Sequence, residues 1–150
     1  MNIFNTVTII NNFLSDTEIK NSMNAFKLSK DVKKFKDRLI VLSHEVKDYK
    51  KIVKKLEDCF HLKVDWWQVI KCPIGSTMDK HVDTSDKKTI ASFIVFLNDN
   101  FEGGHLIFND GIIVQPKKGR IVFFDGPNLT HGVNKNIDGD RFILAGWFCK

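Results

Sequence analysis

A short apolar segment in the last third of the chain indicates the type of fold. Residues 120–127 read RIVFFDGP, where four consecutive apolar residues are followed by the turn pair Gly126-Pro127. Side chains alternate between the two faces of a strand, so a strand of this kind is buried on both faces. Residues 93–97, FIVFL, repeat the pattern. A sheet that contains them must be covered on both sides, and we expect helices on one side.

Other segments after residue 60 also have the character of short strands. Turn-forming pairs such as Gly103-Gly104 and Asp138-Gly139 separate them. Many short, evenly spaced strands are typical of a sandwich or barrel. The expected strands are residues 66–72, 89–97, 105–108, 111–114, 120–124, 130–133 and 141–148.

The first 60 residues instead carry helix signals, after a short strand pattern at Val7 and Ile9. Ser15 and Glu18 have the spacing of a capping box, which predicts a helix from there to about residue 26. A second helix is predicted by apolar residues that recur every three or four positions, namely Val46, Tyr49, Val53, Leu56 and Phe60.

Together these patterns predict a mainly β fold with N-terminal helices. We expect a double-stranded β-helix, or jelly roll, with two helices packed on one of its sheets. The chain has 150 residues, of which 43% are hydrophobic, enough for one core. We therefore expect a single domain over residues 1–150, with a helical part at about 1–60 and a jelly-roll core at about 61–150.

Composition narrows the class of protein. No run of about 18 apolar residues and no signal-like N-terminus is present, so neither a membrane span nor secretion is expected. Cys59, Cys72 and Cys149 have uninformative spacings and are interpreted as reduced thiols of a cytoplasmic protein. The net charge of +5 comes from lysine. We interpret the lysine cluster at residues 47–55 as a solvated helix face rather than a nucleic-acid surface, because no aromatic residues interleave with it.

One group of residues has the pattern of a metal site. His81 and Asp83 are two residues apart, so on a strand both side chains point to one face. His131 opens a later predicted strand and supplies a third ligand. Two histidines and one carboxylate form a facial triad, which leaves positions open for other ligands. Arg141 follows by ten residues, and its planar fork matches a carboxylate. The spacing of His81 and Asp83 alone is common by chance, so the surrounding motifs carry the argument.

Those motifs resemble the prolyl 4-hydroxylase-like oxygenases that depend on Fe(II) and 2-oxoglutarate. The resemblance runs from about Gln68 to Trp147. It rests on NDNFEGGHLIF at 98–108, PKKGRIVFF at 116–124, HGV at 131–133, GDRF at 139–142 and Trp147, and NFLS at 12–15 resembles the family's usual opening.

The resemblance implies a role for each matching residue. His81, Asp83 and His131 match the ligands of Fe(II), and Arg141 matches the residue that pairs with the distal carboxylate of 2-oxoglutarate. It also implies O2 as the oxidant, ascorbate as a candidate reductant, and succinate and CO2 as products. Cys72 stands where the family usually has a tyrosine that donates a hydrogen bond to 2-oxoglutarate. A hydroxyl from Ser92 or Thr77 is the expected replacement.

Several substrates are compatible with this chemistry. A prolyl or other residue in a peptide or protein is favoured, because a chain of this length has few long loops with which to enclose a small molecule. Hydroxylation of a free amino acid or similar small molecule is the alternative. A resemblance to the alkylated-base demethylases is disfavoured, because that group has a second arginine beyond the co-substrate arginine, whereas Arg141 is the last arginine of this chain. A halogenase is disfavoured because Asp83 occupies the position that halogenases leave open for halide. A non-catalytic jelly-roll binding module is the alternative from another class, although it would need neither the triad nor Arg141.

Overall fold

The computed structural model describes residues 7–83 and 88–150. This part of the chain is mainly β, as predicted, with two helices, α1 (Asp16–Leu28) and α2 (Tyr49–Phe60), and a 3₁₀ turn at Ser43–Glu45. Its strands are β1 (Val7–Ile10), β2 (Lys33–Phe35), β3 (Arg38–Leu42), β4 (Lys63–Cys72), β5 (Met78–His81), β6 (Thr89–Phe96), β7 (Glu102–Gly103), β8 (Leu106–Phe108), β9 (Ile113–Val114), β10 (Ile121–Phe124), β11 (His131–Val133), β12 (Asn136–Asp138) and β13 (Arg141–Cys149).

The strands form two main antiparallel sheets. Among the described residues, the larger has seven strands in the order β1-β10-β6-β13-β4-β3-β2, and the smaller has four in the order β5-β11-β8-β9. Strands β7 and β12 form a separate pair. Neighbours in each sheet are often distant in sequence, as expected of a jelly roll, so the predicted fold class is confirmed.

Strand β10 shows why the larger sheet is apolar on both faces. Phe123 belongs to the core shared with the helices, where its ring stacks on Phe60 with centroids 4.3 Å apart. Val122 and Phe124 belong to a second core, between the two sheets. The prediction that helices cover one face of this sheet is therefore confirmed. The opposite face, which packs toward the smaller sheet, also lines a cavity.

Both predicted helices are present, and the α1 capping box forms as expected, but α2 begins at Tyr49, so Val46 of the predicted apolar stripe precedes the helix. The Glu18 backbone N–H donates to Ser15 Oγ at 3.2 Å, and the Ser15 backbone N–H donates to Glu18 Oε1 at 2.8 Å. The apolar face of α2 buries Ile52, Leu56 and Phe60. Lys51 and Lys54 are exposed on the opposite face, as predicted for a solvated helix surface.

The prediction of a helical part at about residues 1–60 missed one hairpin. Strands β2 and β3 pair with each other, and β3 joins the larger sheet beside β4. The two-residue turn between them, Lys36-Asp37, contains no glycine, and Lys36 itself adopts a positive φ of 54°. Strand β2 is fully exposed and shows no alternation. The usual local signals of a hairpin are therefore absent from the sequence.

The described residues contain no helix that is long and apolar enough to cross a membrane. All three cysteines are free thiols, as expected.

Candidate metal centre and co-substrate pocket

The three predicted metal ligands lie together between the sheets. Strands β5 and β11 pair with each other, and their register places His81 opposite His131. Asp83 follows just after β5, where its backbone N–H donates to the Gly126 carbonyl at 2.9 Å. Asp83 Oδ1 is 3.4 Å from His81 Nε2 and 3.5 Å from His131 Nε2. One ligand atom from each residue lies within 4.8 Å of the others, so a single ion can contact all three.

Backbone carbonyls orient both imidazole rings. His81 Nδ1 is 2.8 Å from the Asp79 carbonyl, and His131 Nδ1 is 2.7 Å from the Leu129 carbonyl. A carbonyl only accepts, so each Nδ1 carries the proton, and each Nε2 is left with a lone pair for a metal. The His131 side chain is 5% exposed and that of His81 is 37% exposed, so the centre opens to solvent on the His81 side.

Asp83 is held by two further side chains. Its Oδ2 accepts hydrogen bonds from Ser92 Oγ at 2.6 Å and from Trp147 Nε1 at 3.3 Å, while Oδ1 faces the histidines. Burial alone would raise the pKa of Asp83. The contact with His131, the hydrogen bond from Ser92 and the nearby imidazoles outweigh burial and lower this pKa. Asp83 is therefore an ionised candidate ligand, with one oxygen anchored by hydrogen bonds and the other facing the two histidines.

Arg141 lies at the other end of the same cavity. It begins β13 opposite Cys72, and its guanidinium is buried over the ring of Phe96, with Cζ 5.5 Å from the centroid. Nη1 lies 3.7 Å from Cys72 Sγ, but neither Nε nor Nη2 has a hydrogen-bond partner among the described residues. Buried charges in proteins are usually paired, so a guanidinium whose donors the described residues leave unsatisfied is suited to an anionic ligand.

A protein family matches this chain over residues 67–149, described as the 2OG-Fe(II) oxygenase superfamily. The match covers more than half of the chain and includes the triad and Arg141. The chain belongs to this superfamily. The resemblance inferred from the motifs is therefore confirmed, as is the prediction of an oxygenase. Membership implies Fe(II), 2-oxoglutarate and O2, and the site fits them: three side chains that could bind one metal ion converge at one end, and a guanidinium with two donors unsatisfied by the described residues lies at the other.

Relatives in the superfamily include prolyl hydroxylases. The chain is 36% identical over 64 residues to prolyl 3-hydroxylase 2 of Rattus norvegicus and Homo sapiens, which covers 38% of this chain and only 9% of those curated relatives. Among solved structures, the viral collagen prolyl hydroxylase vCPH of Paramecium Bursaria Chlorella virus-1, in its 2OG complex, aligns with a TM-score of 0.69 and 21% identity over 95% of this chain and 94% of that one. A prolyl hydroxylase of Trichoplax adhaerens, solved in complex with a hypoxia inducible factor peptide fragment, aligns with a TM-score of 0.74 and 19% identity. This alignment covers 97% of this chain and 84% of that one. At these identities the structures confirm the fold.

The sequence predicts that the hydroxyl of Ser92 or of Thr77 donates to the co-substrate in place of the tyrosine that Cys72 replaces. Both Thr77 and Ser92 line the cavity, but their hydroxyl protons have protein partners. Thr77 Oγ1 donates to the Val133 carbonyl at 3.0 Å, and Ser92 Oγ donates to Asp83. Cys72 lines the cavity beside Arg141 and has no hydroxyl. The co-substrate roles of Cys72, Ser92 and Thr77 remain predictions, and Ser92 has a clear contact at the metal end instead.

Sequence reasoning missed several residues that shape the site. The sequence predicts only a turn at Gly126, yet a Cβ there would collide with the Ser92 hydroxyl and the Asp83 carboxylate. Trp147 is one of the residues that carry the family resemblance, and the structure adds its hydrogen bond to Asp83. Arg38 and Asn136 also line the cavity. Their positions depend on which distant strands pair, so no local signal in the sequence could have revealed them.

Proposed function

We propose that the chain is an Fe(II)- and 2-oxoglutarate-dependent dioxygenase that hydroxylates a C–H bond of a prolyl or other residue within a peptide or protein. The supporting observation is that one cavity holds the assembled triad and the buried guanidinium of Arg141, whose Nε and Nη2 have no partner among the described residues. The bound iron and 2-oxoglutarate would supply the oxidising chemistry, in which one oxygen atom of O2 enters the substrate while 2-oxoglutarate becomes succinate and CO2.

The residues of this chain have distinct tasks in that reaction. His81, Asp83 and His131 would hold the metal, which would supply open positions for exchangeable ligands. Arg141 would bind the distal carboxylate of 2-oxoglutarate and so orient the co-substrate in the cavity. The apolar lining between the two ends, which includes Ile70, Leu106, Phe124 and Ile143, excludes water from the reacting groups.

The open side of the metal centre supports a peptide substrate. Trp66, which is 45% exposed, packs on Trp147 with ring centroids 4.4 Å apart, and Trp147 itself contacts Asp83. Aromatic faces of this kind pack well against a pyrrolidine ring. Strand β5 lies at the edge of the smaller sheet among the described strands and ends at His81. An extended peptide could pair with this edge and pass the metal. The prolyl hydroxylase relatives also favour this substrate class.

Two measurements test the proposal. The first is an anaerobic titration with Fe(II) and then 2-oxoglutarate, in which a visible metal-to-keto-acid absorption band supports the class. The second is succinate release, with and without ascorbate, coupled to the gain of one oxygen atom in mass. It is run on proline-containing peptides, free amino acids and methylated oligonucleotides.

Each outcome is informative. Coupled turnover on peptides supports the proposal, whereas turnover only on free amino acids would reject the peptide substrate and retain the oxygenase. Absence of both the absorption band and succinate release would instead support a binding module. The cytoplasmic location and single domain expected from the sequence remain predictions.

A further inference from the structure

A second arginine reaches the cavity from the hairpin that the sequence did not reveal. Arg38 is the first residue of β3, is only 8% exposed, and lines the same cavity as Arg141. Its Nη2 donates to the Thr77 carbonyl at 2.5 Å. A neutral carbonyl satisfies one donor of a guanidinium but leaves its positive charge without a counterion.

Strand pairing places the two arginines on either side of Cys72. Leu39 of β3 and Phe142 of β13 both lie opposite Lys71 of β4. Arg141 lies opposite Cys72, the next residue of β4. The register between β3 and β4, continued by one residue from Leu39, also brings Arg38 opposite Cys72. The row across the three strands is therefore Arg38, Cys72 and Arg141. Neighbouring strands are about 4.8 Å apart, so the two arginine Cα atoms are about 10 Å apart, with side chains on the same face.

The charges at this end of the cavity are unbalanced. Within residues 7–83 and 88–150, no carboxylate forms a salt bridge with Arg38 or Arg141. The acidic residue among the described cavity-lining residues is Asp83, which belongs to the metal end. Burial lowers the pKa of the Arg141 guanidinium and the positive charge of Arg38 lowers it further, opposed only by the Cys72 thiol. Two cations around a small thiol form a site for an anionic group.

We propose that Arg38 is a second binding residue for 2-oxoglutarate, and that Arg38 and Arg141 hold its distal carboxylate from two sides above Cys72. This inference rests on the proposed function. The small Cys72 side chain leaves room for both guanidiniums to reach the same carboxylate. Two charged donors then perform the task of the hydroxyl donor that the family resemblance led us to expect at position 72.

The test compares two ligands that differ only at the distal end. In anaerobic Fe(II) titrations, Arg38→Gln should raise the Kd for 2-oxoglutarate about tenfold, because it removes a charge-assisted contact. The same variant should bind 2-oxopentanoate, which has the keto acid but no distal carboxylate, as the wild type does. With Mn(II) in place of Fe(II), which avoids turnover, 2-oxoglutarate should raise the melting temperature of the Arg38→Gln variant less than it raises that of the wild type.

Two further variants separate ligand binding from a structural role. Arg120→Gln makes the same replacement at an arginine that hydrogen-bonds to Asn11 and Gln115, away from the cavity, and should change neither Kd. Arg38→Lys keeps the charge and should weaken 2-oxoglutarate binding less than Arg38→Gln, again without affecting 2-oxopentanoate. If the glutamine variant fails to fold, this lysine comparison decides the question.

The inference is overturned if the folded variants bind 2-oxoglutarate as tightly as the wild type does. An equal loss for both keto acids would also overturn it, since that result indicates a structural role through Thr77. A change confined to the peptide KM would assign Arg38 to the substrate. Wild-type protein that binds neither keto acid would reject the proposed function itself.

Discussion

The two ends of the cavity differ in how completely the protein satisfies its own polar groups. At the metal end, both imidazole Nδ1 atoms and one Asp83 oxygen already have protein partners. At the other end, Arg141 has two donors without partners, and Arg38 has a charge without a counterion among the described residues. The protein itself therefore organises the side chains at the metal end, whereas the arginine end keeps a buried positive charge that the described residues do not balance.

The largest effect should come from removing a ligand at the organised end. His131→Ala should abolish both tight iron binding and turnover, because two remaining ligands cannot hold a labile ferrous ion. Anaerobic Fe(II) titration and succinate release measure the two losses. His105→Ala is the matched control, since the hydrogen bonds of His105 use its backbone atoms. Normal turnover of the His131 variant would disprove the ligand assignment.

The next effect concerns the arginine end. Arg141→Ala should weaken 2-oxoglutarate binding by about 2–5 kcal/mol, because a buried charge-assisted contact is lost, and it should leave iron in place. Arg141→Lys should be intermediate, since it keeps the charge but not the fork. Titration of 2-oxoglutarate at saturating Fe(II) measures both. An unchanged affinity in the alanine variant would mean that another group binds the carboxylate.

Ser92 distinguishes the two ends most sharply. Because its hydroxyl donates to Asp83, Ser92→Ala should reduce iron affinity by about 10- to 100-fold, the usual cost of losing a partner of a metal ligand. At saturating iron, the 2-oxoglutarate affinity should not change. The reverse result, intact iron binding with weaker co-substrate binding, would return Ser92 to the co-substrate role expected from the sequence.

The unpaired charge of Arg141 should also be visible in stability. Arg141→Met should raise the free energy of unfolding of the ligand-free protein, since it replaces a buried cation that no described carboxylate compensates by an apolar chain. Thermal or urea unfolding without 2-oxoglutarate measures this. His131→Ala removes a residue that already has protein partners and should not stabilise. A less stable methionine variant would show that the Arg141 charge is compensated in the free protein.

The smallest effect lies outside the cavity. Burial raises the pKa of Glu18, but Lys55 and Ser15 outweigh it, so its pKa is below the ordinary 4.5. The ionised Glu18 therefore stabilises the folded protein at pH values above its ordinary pKa of 4.5. This stabilisation is lost as the pH falls through the lowered pKa of Glu18 in the folded protein. Glu18→Gln should cost less than about 1 kcal/mol at neutral pH and flatten the acid side of the stability profile. Neither end of the cavity should change.

Local patterns in the sequence predicted much of the fold. The capping box at Ser15 and Glu18, the stripe on α2 and the two-sided strand at 121–124 are all features of nearby residues, and each is present in the structure. The hairpin at 33–42 was missed because its turn lacks glycine and its outer strand is exposed. It is held by pairing with β4, some thirty residues later in the chain.

The sequence by itself determined the residue types of the candidate site: two histidines and a carboxylate, the spacing of His81 and Asp83, and the arginine that follows His131. Only the tertiary structure decided which neighbours support that chemistry. Ser92 and Trp147 meet Asp83, and Arg38 meets the far side of Cys72, because strands distant in sequence lie side by side. The physical reason is the range of each effect. Ligand type and strand alternation are properties of a residue and its nearest neighbours, whereas a hydrogen bond or an unpaired charge depends on which strands the packing of two sheets brings together.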